Sequence, residues 1–264
     1  MTDSTDMLPI QRVTKEGKQD TEDLVTRELP LKIILNNREI VTLLCSPMDL
    51  KYLAIGFLSS EGLLKSKDEV KKIVVDDRKG VVHVEAEEDK ERVSEPLSQR
   101  LIASGGGRGA SFYSNVDALG QVKVASQFRI SAAQVLALVK RFQRHSQIFR
   151  TTGGVHSAAL CDTKCILVFS EDIGRHNAID KVFGKCIVNN ISTDGRLIIT
   201  SGRVSSEIVL KVVKRNIPVL VSRSAPTNLG VRLAGNLGVT LVGFVRGERM
   251  NVYTAGWRIV TDGT

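Results

Sequence analysis

The stretch "SEDIGRHNAIDK" crowds Glu171, Asp172, Arg175, His176, Asn177 and Asp180 behind an apolar run. A carboxylate beside an imidazole sets its tautomer and basicity. A guanidinium can hold a phosphate or carboxylate through two parallel hydrogen bonds. Helix capping with a polar first turn accounts for Asp172 or Asn177. It accounts less well for Arg175 and His176, and these two are read as ligand-facing.

Three more turns share this chemistry. "TSGRVSSE" places Ser201, Gly202, Arg203, Ser205 and Ser206 before an apolar helix pattern. Backbone amides at a helix start attract anions, and glycine allows close approach. "SRSAPTN" repeats the theme with Ser222, Arg223, Ser224 and Thr227, and "GFVRGERMNVYT" adds Arg246 and Arg249. Together these turns point to a phosphorylated ligand. No Walker pattern is present, so it need not be a nucleoside triphosphate. A different stretch, "SGGGRGA" at 104–110, admits three readings: a link between domains, a phosphate cradle, or a site from which something has been lost.

His156, Cys161, Asp162 and Cys165 in "TTGGVHSAALCDTKC" carry metal-ligand types. One His and two Cys could bind zinc with an open fourth position. Zinc deaminases add a glutamate near the histidine and a PCxxC element. Neither is here, and "CDTKC" reads as a hairpin turn whose ends are cross-strand neighbours, so no metal is expected. Cys45 and Cys186 close apolar patterns and read as buried small hydrophobes.

The elements that must position these residues fall into two groups. "LKIIL" and "EIVTLLC" flank "NNR", a hairpin with Asn36 and Asn37 near its turn. A helix follows in "SPMDLKYLAIGFLSSEG", with Ser46 as its cap, Pro47 at its first position and Gly62 at its end. "VKKIVVDD" and "GVVHVEAE" form a second hairpin, with His83 on the sheet surface. "SAAQVLALVKRFQRH" is a helix capped by Ser131, with Val135, Leu136, Val139 and Phe142 on its apolar face. From "CILVFSE" onward, buried-strand patterns alternate with helix patterns, the rhythm of an α/β domain. Such domains bind ligands at the carboxyl ends of their strands, where the polar turns fall. The expected division is a loose polar arm over 1–24, a β-rich portion with one helix over 25–100, and an α/β ligand-binding domain over 101–264. Thr151-x-Gly153-x-Val155-x-Ser157 is echoed by Thr200-x-Gly202-x-Val204-x-Ser206, by chance, shared turn chemistry or duplication.

Composition narrows the partners. A net charge of +8 with a pI near 9.4 favours acidic or phosphorylated ones. Aromatic residues are only 5%, too few for a basic surface interleaved with stacking rings, so nucleic acid is not expected. The absence of a long apolar run or apolar leader leads us to expect no membrane span and a cytoplasmic location.

"FRTTGGVHSAAL", "FSEDIGRHNAIDKVFGK", and the region from "TSGRVSSEIVL" through "SAPT" and "GFVRGERMNVYT" resemble the formate dehydrogenase accessory family, the FdhD sulfur carriers, over about residues 25–260. The resemblance implies a cytidine-deaminase-like main domain without zinc chemistry. It further implies cytoplasmic homodimers that accept sulfur from a cysteine desulfurase. The sulfur is delivered to the bis-guanine-dinucleotide molybdenum cofactor before or during its insertion into formate dehydrogenase. Guanine nucleotides such as GDP become candidate ligands. The family's cofactor-binding segment falls on Phe244, Val245, Arg246, Gly247, Glu248 and Arg249. The turns carrying Arg175, His176 and Arg203 are placed beside it. The family's sulfur-carrying loop, roughly "SCGVCG", falls on "SGGGRG", with Gly105 and Arg108 at the two cysteine positions. Neither residue can carry a persulfide. The resemblance therefore leaves two readings: a sulfur carrier using another thiol, or a non-catalytic chaperone for the cofactor or a guanine nucleotide.

Overall fold

A computed structural model describes residues 4–87, 101–102, 108–109 and 123–261. The chain opens with β1 (Thr5–Thr14) and β2 (Gly17–Thr26), a two-stranded antiparallel hairpin in register from Thr5↔Thr26 to Thr14↔Gly17. This corrects the expected loose arm. The polar composition hid a run of Thr, Val, Ile and Leu that pairs along its whole length.

β3 (Leu29–Leu35) and β4 (Arg38–Cys45) form the expected hairpin. Asn36 and Asn37 both adopt positive φ at its turn, which asparagine tolerates better than most residues. After α1 (Leu50–Ser60), β5 (Val70–Asp76) and β6 (Val81–Ala86) complete a four-stranded sheet of order β4-β3-β6-β5. Alternate strand residues, among them Leu31, Ile33, Val41, Leu43, Val82 and Val84, bury against Leu53, Ala54 and Leu58 of α1. Burial of apolar area of this kind is the main stabilising term. The α1 start departs from expectation. The cap position is Asp49, at φ 61 with no side-chain cap bond. Ser46 is engaged elsewhere: its hydroxyl accepts from Ile173 N at 3.1 Å.

Two short pairs follow. β7 (Leu101–Ile102) is antiparallel to β8 (Arg108–Gly109), and Gly105 lies outside the described residues. β9 (Ile130–Ser131) leads into α2 (Ala132–His145), whose start is a reciprocal capping box between Ser131 and Gln134. After α3 (Gln147–Thr152) come the main-sheet elements. They are β10 (His156–Cys161), β11 (Ile166–Asp172), α4 (Arg175–Val188), β12 (Leu197–Thr200), α5 (Ser206–Val213), β13 (Val219–Ser222), α6 (Asn228–Asn236), β14 (Thr240–Arg246) and β15 (Arg249–Val252). β16 (Ile259–Val260) pairs with β9.

The six-stranded sheet has the order β11-β10-β12-β13-β14-β15. β12, β13 and β14 are mutually parallel, while β10 is antiparallel to both its neighbours. Strand alternation sends Ala158, Leu160, Ile198, Leu220 and Leu241 to a face covered by α4, α5 and α6. Ala159, Cys161, Leu197, Ile199, Val219, Val221 and Val242 go to the other face, under Val135, Leu138, Val139 and Phe142 of α2. Both faces being covered explains why these strands read as near-continuous apolar runs.

α4 joins the two halves. Its residues from His176 to Gly184 are buried, packed on the sheet on one side and on α1 on the other. Close approach depends on two glycines. A Cβ on Gly184 would lie 1.8 Å from Tyr52 O, and one on Gly56 would lie 1.8 Å from Asp180 O. Among the described residues no helix is long and apolar enough to cross a membrane.

Candidate functional site

The topology brings the polar turns to one rim. β11, β12, β13 and β14 end there, and antiparallel β10 begins there, so His156 sits opposite Asp172, while Ala158, two residues along, sits opposite Thr200. At about 4.8 Å per strand this rim is roughly 19 Å wide.

The crowded stretch after β11 divides into two kinds of residue. Glu171 accepts from Ser146 Oγ at 2.6 Å and faces the first amides of α3. Asp172 is fully buried. It is 2.6 Å from Lys181 Nζ and accepts from Ser46 N, Gly174 N and Asn177 Nδ2. Lys181 also donates to Ser46 O and Glu171 O, which binds the N-terminal portion to the main sheet. Asp180 accepts from Ser60 of α1 and pairs with Lys211 of α5. These acidic groups are therefore structural. Each buried charge has a partner and further hydrogen bonds, without which it would be costly.

Arg175 and His176 begin α4 and face the turn after β12. Gly202 makes room for Arg175, since a Cβ there would lie 2.8 Å from Arg175 Cβ. Burial, then the neighbouring Arg203, lowers the Arg175 pKa. His176 is 9% exposed. Burial, followed by Lys211 and Arg175, pushes its pKa down to about 3. Its Nε2 lies 3.5 Å from Glu207 Oε2, a contact made by a neutral ring. Burial raises the pKa of Glu207. His156 is half-buried, its pKa also lowered by burial and by Arg175. Its Nδ1 is 3.3 Å from Ser201 Oγ, which also accepts from Ser157 N at 2.9 Å. Arg203 is exposed. This part of the rim presents two guanidiniums, a hydroxyl and two histidines without charge at neutral pH.

The other part is built by β13 and β14. Ser222 Oγ donates to Gly202 O at 2.7 Å and accepts from Ser224 N at 2.9 Å, joining adjacent turns. Burial and Arg246 lower the Arg223 pKa. Phe244 has φ 52, a left-handed conformation that is rare and strained for a bulky residue. Its amide donates to Ser224 O at 3.1 Å, and the Arg246 guanidinium lies 5.7 Å from its ring centroid. The irregular step between Gly243 and Arg246 re-aims these side chains. Phe244 is half-buried, whereas Arg246, Gly247, Glu248 and Arg249 are exposed on the β14–β15 hairpin. Val245 is 1% exposed and packs in the core under α2, so its side chain does not face the rim.

Sequence reading of the site gave no role to Glu207. It falls in the first turn of α5, where an acidic residue reads as a simple complement to the helix dipole. His156 and Ser201 were legible as residue types, but their pairing arises only across β10 and β12.

The cysteines are placed by the same strands. Cys161 is at the far end of β10 from His156, about 17 Å along the strand. The two do not converge, and among the described residues no three His, Cys, Asp or Glu side chains are grouped to hold a metal. Cys45, Cys161 and Cys186 are buried, and Cys165 is exposed on the β10–β11 turn. Burial is the main cause raising the thiol pKa to about 12 at Cys45 and Cys161 and about 11 at Cys186.

Known proteins share this chain's sequence and fold. A "Sulfur carrier protein FdhD" of Bacillus subtilis is 43% identical over 238 residues, covering 90% of this chain and 91% of the relative. That of Bacillus pumilus is 42% identical over 237 residues, covering 90% of each chain. The Staphylococcus aureus protein of the same name is 40% identical over 252 residues, covering 96% of this chain and 95% of its own. A crystal structure from Desulfotalea psychrophila, described as a formate dehydrogenase accessory protein, superposes with a TM-score of 0.80 at 28% identity. It spans 97% of this chain and 100% of the other. The family model described as "FdhD/NarQ family" matches residues 26–260, and the chain belongs to that family.

Proposed function

We propose that this chain performs the accessory role of its family, as a cytoplasmic sulfur carrier that assists sulfuration of the bis-guanine-dinucleotide molybdenum cofactor and its insertion into formate dehydrogenase. In this reading a cysteine desulfurase supplies the sulfur, the chain works as a homodimer, and the main domain is of the cytidine-deaminase-like class. The observation that carries it is the convergence of Arg175, Arg203, Arg223 and Arg246 on one sheet rim, at turns rich in hydroxyls and amides. The cofactor is a client with several phosphates, and guanidiniums and free amides are their natural partners. We assign Arg175 and Arg203 to one phosphate group and Arg246 and Arg249 to another. Phe244 serves as an apolar platform, Gly247 and Glu248 form the hairpin turn, and Val245 contributes backbone only. His176 keeps a neutral, uncompetitive surface beside the guanidiniums.

A second reading, a chaperone that holds the cofactor without transferring sulfur, is favoured by the cysteines. Gly105 and Arg108 stand at the family's carrier positions. The chain's one exposed thiol, Cys165, lies beyond the opposite end of β10 from the rim.

Titration with GDP, a probe for half of the dinucleotide, tests the site common to both readings. Saturable binding is expected, weakening with salt. Arg246→Ala should reduce affinity about tenfold or more, the worth of a charge-assisted hydrogen bond. No binding by the wild type, or unchanged affinity in the variant, refutes the assignment. Restoration of formate dehydrogenase activity in cells lacking the accessory protein tests the biological role.

A further inference from the structure

The β1–β2 hairpin is a sheet without a core. Its two ten-residue strands contain no buried residue. Met7, Leu8, Val13 and Val25 are 45%, 45%, 64% and 40% exposed. Among the described residues the strands pair only with each other, and neither outer edge has a strand partner there. Attachment to the body is at the base, where Thr26 Oγ1 lies 2.8 Å from Thr152 Oγ1 at the end of α3. The hairpin is about 33 Å long. A lone two-stranded hairpin is at best marginally stable in water, and open apolar edges recruit other chains. Ordered pairing over this whole length calls for a surface that covers it.

Charge indicates which surface. The span Thr5–Thr26 carries Asp6, Glu16, Asp20, Glu22 and Asp23 against Arg12, Lys15 and Lys18, while the whole chain is net +8. An acidic arm on a basic protein is repelled by another such arm and attracted to another copy's body. We propose that the hairpin is an exchange arm that docks on the basic body of a second copy, each copy embracing the other. Reciprocal exchange closes by two-fold symmetry and leaves no unsatisfied arm. This rests on the homodimer proposed above and names the surface that makes it.

Sedimentation equilibrium over a concentration series tests the arm, with circular dichroism confirming the fold of each variant. Leu8→Gln combined with Val25→Gln changes exposed positions on one hairpin face without altering its charge. It should weaken the dimer about a hundredfold or more, because apolar contacts on both arms are lost and polar groups take their place. Asp20→Lys combined with Glu22→Lys leaves the apolar contacts and reverses local charge. It should also weaken the dimer and reduce its sensitivity to salt. GDP binding should be unchanged in every variant. A wild type that is monomeric at all concentrations overturns the pairing itself. A dimer that tolerates both double variants overturns the arm, and loss of GDP binding alone bears on the rim site.

Discussion

His176 shows how one position can be polar, buried and beside a cationic sheet rim together. It occupies the second position of α4, where burial and the cations Lys211 and Arg175 hold the ring neutral. Its folded pKa of about 3 lies below the ordinary value of 6.5. The unfolded chain therefore binds more protons between these values. The stability that a neutral His176 allows is complete above pH 6.5 and is lost as pH falls toward 3. His176→Gln, which keeps a hydrogen-bonding side chain but cannot titrate, should flatten this part of the profile. The wild-type-minus-variant difference in urea midpoint between pH 7 and pH 4.5 should correspond to roughly 1–3 kcal/mol. Parallel profiles would mean that the imidazole is not kept neutral by the fold. The neighbouring acidic residues were ambiguous in sequence because a capping Asp, an ion-paired Asp and a catalytic Asp are the same letter. Their partners, Ser46, Ser60, Ser146 and Lys211, are remote in sequence.

At the scale of elements, the α1–α4 contact decides whether the two halves act as one. Gly184→Ala places a methyl against the Tyr52 carbonyl, where backbone rather than a flexible side chain must yield. Forced separation of the helices should lower stability by about 3 kcal/mol or more, read as a reduced chemical-denaturation midpoint. Gly235→Ala in α6 is the control. Its nearest neighbour would be Thr254 Cγ2 at 3.5 Å, ordinary contact, so helix propensity alone should make it neutral or stabilising by up to about 1 kcal/mol. Equal effects at both sites would contradict the close-packing account. Apolar patterning located α1, α2, α4, α5 and α6; α2, α5 and α6 each carry one strong apolar face, whereas α1 and α4 are buried over most of their surface. It did not locate the true start of α1, because Ser46 is drawn to Ile173 and Asp172 by the tertiary fold. The echo between 151–157 and 200–206 is likewise not a repeated unit: the first leads from a helix into a strand and the second from a strand into a helix.

For the molecule as a whole, the location of thiols decides between covalent carriage and binding alone. Three of the four cysteines are buried with raised pKa values. Cys165 is exposed; desolvation and its hydrogen bond to Asp162 raise its pKa too. A thiol held protonated is a poor acceptor of sulfur. Incubation with a cysteine desulfurase and cysteine, followed by intact-protein mass measurement, separates the readings. Carriage by this chain's own thiol predicts a one-sulfur increment that Cys165→Ala abolishes. The chaperone reading predicts none on the wild type. Under either, Gly105→Cys combined with Arg108→Cys should acquire the increment in a Cys165→Ala background. Failure of that variant would show that two cysteines in this loop do not suffice for sulfur acceptance.

The sequence by itself determined the α/β class, the strand-end turns and the cationic, hydroxyl-rich chemistry placed on them. These are local properties: apolar period, turn residues and residue type. Through family resemblance it also gave the expectation that Gly105 and Arg108 stand at the family's carrier-cysteine positions. Only the tertiary structure decided which polar residues face the rim and which hold the halves together. It placed Val245 in the core and Cys161 away from His156, and it turned the polar N-terminus into a paired hairpin. Each of these depends on contacts between residues far apart in the chain, where strand order and register select partners that local pattern does not encode.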